Sequence, residues 1–241
     1  MAEITGSPEY MAKTYVDYQK KYRENIRESD KTIIELIQKN ISFPEGKSLL
    51  DIGCHNGNLL FHIKNTIPSF SLYGIDLFPD VIEVCRNDPD LKGIKFDTMN
   101  ILDLHCDPVD VIVVSAVLFR FSDTEHLKIW QSFHDRLKAG GLVFSFDFYN
   151  PFCQTLRIIE ETETHPEGLV LNFRPQQDVA TMLAKIGFLE YQFNMFQIPI
   201  DLDLQGPTDP LYTYTKRLAN NERLQFRGAL YQPWCHLVAK K

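Results

Sequence analysis

The run "VDVIVVSAVLF", Val109 to Phe119, constrains this chain most. Its apolar residues are nearly continuous, with only Asp110 and Ser115 interrupting, where a strand with one wet face would alternate. A strand buried on both faces needs cover on both, and parallel strands joined by helices supply it.

The rest of the chain fits that demand. "LLDIGCHNGNLL" (Leu49 to Leu60) reads as strand, tight loop and helix start, "SLYGIDLF" as a second strand, "DVIEVCRND" as a helix and "IKFDTMNI" as a third strand. "DTEHLKIWQSFHDRLKAGG" reads as an amphipathic helix with Leu127, Trp130, His134 and Leu137 on one face and Gly140-Gly141 at its end. "LVFSFDFYN" is a fifth strand, "RPQQDVATMLAKIGF" a helix ended by Gly187, and "LEYQFNMFQIPI" a sixth strand. The tail reads as a hairpin turning at Ala219 to Glu222, followed by a closing strand. Ahead of all this, Tyr10 to Asn40 reads as helical, with Ile33, Leu36, Ile37 and Ile41 at core spacing. The expected fold is a doubly wound, Rossmann-like, mostly parallel seven-stranded sheet with helices on both faces and a C-terminal antiparallel hairpin. It is expected as one domain over 1–241: a helical lid at 1–44, a cofactor-binding half at 45–150, and a substrate-side half with the hairpin at 151–241.

Composition narrows the function. With 25 basic and 32 acidic residues the chain carries a formal charge of -7, which disfavours nucleic acid or an anionic membrane as partner. The five cysteines are scattered without a C-x-x-C pair, as free thiols in a reducing cytosol would be, and the N-terminus shows no signal peptide. A cytoplasmic location is expected. No histidine spacing resembles a metal motif, so no metal is expected.

In a doubly wound sheet, ligands bind at the carboxyl ends of the strands. The first loop offers Gly53 and Gly57 but lacks the third glycine of a dinucleotide motif, and places Asp51 at its mouth. An acid beside incomplete phosphate glycines suits a ligand that is cationic there. Asp76, closing the second strand, stands where an acid accepts both hydroxyls of an adenosine ribose. Together they point to an adenosine ligand carrying positive charge.

With these residues the chain resembles the class I S-adenosylmethionine-dependent methyltransferases over most of its length. "LLDIGCHNGN" is similar to the family's first motif and "YGIDLF" to its second. "DTMNILDL" resembles the acidic loop after the third strand, with Asn100 in place of the usual aspartate. "VVSAVLFRF" resembles the fourth motif, with Arg120 in place of a common histidine, and "LKAGGLVFSF" the segment before the fifth strand, with Ala139 in place of proline. The resemblance implies S-adenosylmethionine as cofactor, S-adenosylhomocysteine as product, and a small-molecule acceptor with an anionic group in view. It implies a cofactor site at Asp51, Gly53, His55, Gly57, Asp76, Leu77, Asn100, Ile101 and Ser115, with Tyr22 and Arg27 reaching it from a leading helix. Tyr18, Arg120, Phe121 and Tyr149 are the substrate-side candidates. No residue is identified as catalytic.

Three positions keep two readings each. His55 either tolerates a turn with positive φ or sends its imidazole to the methionine carboxylate or substrate. Arg120 either clamps an anion or pairs at the surface with Asp123 or Glu125. Tyr149 either meets substrate or packs under a helix. A nicotinamide-dependent oxidoreductase, a non-catalytic binding protein on this fold and a methyltransferase acting on a protein are the rivals.

Overall fold

The computed structural model describes residues 21–162, 165–204 and 213–241. Seven strands form the central sheet in the order β3 (Lys95–Thr98), β2 (Ser71–Asp76), β1 (Ser48–Ile52), β4 (Val109–Ser115), β5 (Leu137–Asn150), β12 (Trp234–Lys240), β8 (Glu190–Met195). The pairings from β3 to β5 are parallel, and β12 runs antiparallel to both β5 and β8. Val111 to Val114 are fully buried, as continuous apolar character requires of a central strand. At the other end of the strand Asp110 accepts from the Ser48 amide and hydroxyl (both 2.9 Å) and from Lys138 (2.7 Å), fixing where β1 and β4 begin.

One face of the sheet is covered by α1 (Glu28–Asn40), α2 (Asn58–Thr66) and α3 (Pro79–Asn87). In α1, Ile33, Ile34 and Ile37 are buried, and Leu36 and Ile41 pack at the margin. The helical backbone at 21–24 is separated from α1 by a break, so the expected single helix is interrupted there. The other face is covered by α4 (Asp123–Arg136) and α5 (Gln176–Ile186), the latter ending at Gly187 with φ +116°. The buried stripe of α4 is His126, Ile129, Trp130 and Phe133; Leu127 is 46% exposed. The stripe is turned by one residue from the one read in the sequence, because Trp130 and Phe133 together meet Phe188 and the sheet. The helix also ends at Arg136, ahead of Gly140-Gly141.

Two additions complete the fold. A hairpin of β6 (Leu156–Thr162) and β7 (His165–Pro175) follows β5, and its base pairs in parallel with Tyr149 and Asn150. A small separate sheet joins β9 (Thr213–Arg217), β10 (Arg223–Arg227) and β11 (Leu230–Tyr231); β9 and β10 are the expected tail hairpin, and β12 is the closing strand. Trp234 belongs to β12 and stacks on Phe146 at 4.6 Å. Arg227 of β10 pairs with Glu160 of β6 at 2.8 Å.

His236 is buried in the middle of β12 between Phe146 and Phe196, and neither ring nitrogen has a hydrogen-bond partner among the described residues. Burial pushes its pKa down to about 3, so the ring is neutral and desolvated. A buried polar group without a partner destabilises a fold by roughly 1–3 kcal/mol. His236→Leu is therefore expected to raise stability by about 1 kcal/mol in urea unfolding, with an unchanged m-value. A lower midpoint would show that ring stacking outweighs desolvation there.

Candidate active site

A cavity of about 530 Å³ opens where the carboxyl ends of β1, β2 and β4 meet α1 and the β6–β7 hairpin. Asp51, Gly53, His55, Asp76, Leu77, Asn100, Ile101, Ser115, Arg27, Arg120 and Phe121 all line it. Positions 94 residues apart in the chain, Arg27 and Phe121, thus meet in one space because parallel strands end at one edge.

Asp51 is 3% exposed. Burial first, then the neighbouring carboxylates Asp30 and Asp76, push its pKa up to about 8. Asp30, from α1, also lines the cavity, and burial raises its pKa too, against the pull of Arg27 and His62. Two desolvated acids facing one space are stabilised by a cation placed between them and the cavity. Asp76 is held by backbone donors: the His55 amide reaches one oxygen at 2.9 Å and the Phe78 amide the other at 3.2 Å. The glycines have separate tasks. Gly53 has φ +72°, and a Cβ there would lie 2.6 Å from Val117 Cγ2, so only glycine lets the first loop pass the loop after β4.

Several expectations need correction. Gly57 is not on the cavity wall; it caps α2 at φ +71°, and a Cβ would strike Leu91 at 2.7 Å, so its glycine serves the turn. Tyr22 is not on the wall either; its ring lies under the Arg27 guanidinium at 4.1 Å and its carbonyl meets the His62 ring at 2.8 Å. Tyr149 is 1% exposed, shares a 2.8 Å hydrogen bond with Ser145 and packs on Phe193, so it is a core residue and no substrate contact. Tyr18 lies outside the described residues. His55 has φ +46° and lines the cavity; burial lowers its pKa, against the pull of Asp76. Asn100 accepts from the Leu102 amide through Oδ1 (3.0 Å), which turns its NH₂ group into the part left for a ligand.

Arg120 lines the cavity between two buried phenylalanines, Phe119 and Phe121. Of the two acids considered as surface partners, Asp123 accepts from Arg174 at 2.9 Å and Glu125 closes the capping box with Ser122. The hairpin brings Arg157, Glu167, Val170 and Asn172 to the wall, none of them anticipated. Asp30 was also missed, although an acid on the same helical face as Ile33, Ile34 and Ile37 is a legible anomaly.

Residues 50–143 match the family model described as "Methyltransferase domain". Among curated proteins, the carboxy-S-adenosyl-L-methionine synthase of Campylobacter jejuni is 22% identical over 124 residues, covering 51% of this chain and 50% of that protein, so the chain spans about half the length of the curated relatives it matches. Among solved structures, a chain of the complex between the Haloferax volcanii Trm112 methyltransferase activator and a methyltransferase superposes with TM-score 0.66 at 15% identity, covering 99% of each chain. Human N-acetylserotonin methyltransferase in complex with S-adenosylmethionine gives 0.61 at 12% identity, over 98% of this chain and 56% of that one. These likenesses establish the shared fold.

The buried acids give a pH prediction. Asp51 titrates near 8 when folded, against an ordinary value of 3.8. Between those values the folded protein binds a proton that the unfolded chain does not, so ligand-free stability falls as pH rises from about 4 to 8. A cationic ligand beside Asp51 displaces that proton and binds better as pH rises. The affinity for S-adenosylhomocysteine, whose amino group is cationic, is expected to rise roughly tenfold from pH 6 to pH 8 in calorimetric titration, and Asp51→Asn to flatten the profile. A flat profile in the unsubstituted protein would place the cation elsewhere. Residues 50–143 thus match a methyltransferase domain, and the fold around them is the one shared with the solved methyltransferase structures.

Proposed function

We propose that this chain transfers a methyl group from S-adenosylmethionine to a small-molecule acceptor that carries an anionic group, and that it works in the cytoplasm. One observation carries the reading: a single cavity is lined by two desolvated acids, Asp51 and Asp30, and by Arg120.

The residues present fit the cofactor. Asp51 and Asp30 take its ammonium, and Arg27, steadied by the Tyr22 ring, takes its carboxylate. Asp76, already oriented by two backbone amides, accepts the ribose hydroxyls. Leu77 and Ile101 would pack on the adenine, and the Asn100 NH₂ would donate to a ring nitrogen, where an aspartate would accept from the amino group. His55 shapes the loop through its positive φ and closes the wall with a neutral ring.

When bound, S-adenosylmethionine supplies an activated methyl on a sulfonium, open to in-line attack by a lone pair. The protein then has to position the acceptor and exclude water. Arg120 holds the acceptor's anionic group, Phe121 and Val170 cover its body, and Arg157 stands at the mouth. No carboxylate is needed as base where the acceptor atom already has its lone pair exposed. The hairpin narrows the opening and limits water.

A second reading has one observation behind it. Arg27, Arg120 and Arg157 would also suit a carboxylated cofactor of the kind named in the Campylobacter relatives. Mass spectrometry of the ligand released from purified protein separates the two.

Asp76→Ala is expected to weaken S-adenosylhomocysteine binding at least tenfold and to remove most of its thermal stabilisation, since a charged acceptor to two hydroxyls contributes about 2 kcal/mol. Arg120→Leu should leave that affinity within twofold and lower kcat/KM for the acceptor at least tenfold, measured on the product found by incubating cell extract with enzyme and methyl-labelled donor. Binding of NAD in preference to S-adenosylhomocysteine would overturn the reading.

A further inference from the structure

The acceptor end of the cavity contains a polar side chain whose orientation is fixed and whose acceptor atom has no partner. Asn172, in β7, is 8% exposed and lines the cavity. Its Nδ2 donates to the carbonyl of Phe119 at 2.8 Å and to that of Phe121 at 3.1 Å. Those two carbonyls flank Arg120. An amide nitrogen facing two carbonyl oxygens cannot be exchanged with the amide oxygen without setting three acceptors against one another, so the flip state is determined. The Oδ1 therefore points away from the loop, and it accepts no hydrogen bond from any described residue. Along β7, Glu167 to Val170 and Asn172 line the cavity, while Leu171 and Phe173 pack into a core cluster with Phe148. The direction left for Oδ1 is the cavity.

The neighbouring buried charged side chains are committed. Arg174, 6% exposed, donates to the carbonyls of Leu118 and Phe121 and to Asp123. Asp147 accepts from the Phe119 amide at 3.1 Å and the Phe148 amide at 2.7 Å. Three buried side chains from β5 and β7 thus hold both sides of Arg120, and within this network only Asn172 turns an unmet acceptor to the ligand space. An amide oxygen that faces the cavity and has no protein donor is open to a ligand N–H or O–H in place of solvent.

We propose that Asn172 is an acceptor-binding residue: its Oδ1 accepts a hydrogen bond from the O–H or N–H of the group to be methylated, while its Nδ2 fixes the loop that presents Arg120. This rests on the reading of the site given above and narrows it. The acceptor then belongs to one chemical class, a hydroxyl- or amino-bearing carboxylate or similar anion, with the polar group and the anion on one molecule. The interaction also orients a lone pair. An O–H or N–H whose proton points at Asn172 turns its lone pair elsewhere, and Asn172, lacking a basic group, positions the nucleophile without removing its proton. The proton leaves after methyl transfer, to water at the cavity mouth.

The test uses the whole chain saturated with S-adenosylhomocysteine, and a set of aromatic and aliphatic carboxylates, each paired with its hydroxylated counterpart (benzoate with 4-hydroxybenzoate, 3-phenylpropanoate with 3-phenyllactate). Calorimetric titration should show at least one pair in which the hydroxylated member binds tenfold or more tightly. Asn172→Leu should abolish that preference, with S-adenosylhomocysteine affinity within twofold, and should raise amide exchange at 119–121. Arg120→Leu should weaken both members of the pair alike and keep the preference. A preference that survives in Asn172→Leu overturns the proposal while leaving the anionic-acceptor reading standing. Equal affinity within every pair does the same. If no member of any pair binds, the anionic-acceptor reading fails and this inference with it; the cofactor reading then stands or falls separately on the S-adenosylhomocysteine titration.

Discussion

The site depends on the parallel register of β1 with β2 and β4. Asp51 sits opposite Gly74 and Val113, and Ile52 opposite Ile75 and Val114. Three strands ending at one level bring Asp51, Asp76 and Ser115 to one rim without any of them touching in sequence. The first loop is then sewn to the next strand by backbone bonds: the amides of Gly53 and Cys54 both donate to the Ile75 carbonyl at 2.8 and 3.0 Å, and the His55 amide to the Asp76 side chain. The Asp76 carboxylate thus belongs to the loop's own hydrogen-bonding pattern as much as to the ligand's. Removing it would leave the His55 amide without its acceptor, which is why the cost of that change falls on loop geometry as well as on affinity.

The cofactor end also accounts for a feature that makes poor sense as stabilisation. Burying acids side by side costs free energy: burial raises the pKa of both Asp51 and Asp30, and Asp30 and Asp76 raise that of Asp51 further. A protein retains such a cluster where a ligand completes it. Arg27 lies close enough to ease the cost without cancelling it, and its own position against Tyr22 leaves the acids facing the cavity. Acids and a guanidinium thus line one cavity together.

Most of the fold over residues 45–150 was legible because its signals are local. Asp51, Gly53 and His55 lie within five residues, and a loop with positive φ at positions 53, 55 and 57 shows as two glycines around a histidine. The central strand declared itself by lacking alternation. What the sequence obscured was everything that depends on partners far along the chain. The stripe of α4 was misplaced by one residue because both Leu127 and Ile129 suit an apolar face, and Phe188, which decides between them, is more than fifty residues away. Tyr149 looked like a rim residue, since it nearly ends β5, but the hairpin extends the sheet past it and buries it. The hairpin itself was overlooked although "LRIIEE" and "GLVLNFR" are rich in β-branched and apolar residues.

The same contrast separates the two ends of the cavity physically. Residues 51–55 and 76–78 lie at strand ends and in loops whose geometry is set by neighbouring backbone. Loop 118–121 is short and has no strand partner of its own. Its shape is imposed by Asn172, Arg174 and Asp147, the first two donors 51 to 56 residues away. The hairpin that carries these donors is in turn tied at its outer part, where Arg227 of the small sheet bridges Glu160. Acceptor geometry is therefore transmitted through a chain of supports, from the small sheet to the hairpin and from the hairpin to Arg120. A substitution at Glu160 or Arg227, outside the cavity wall, acts on the acceptor end through the hairpin's position, while the first loop and Asp76, sewn to β2 by backbone bonds, stay in place.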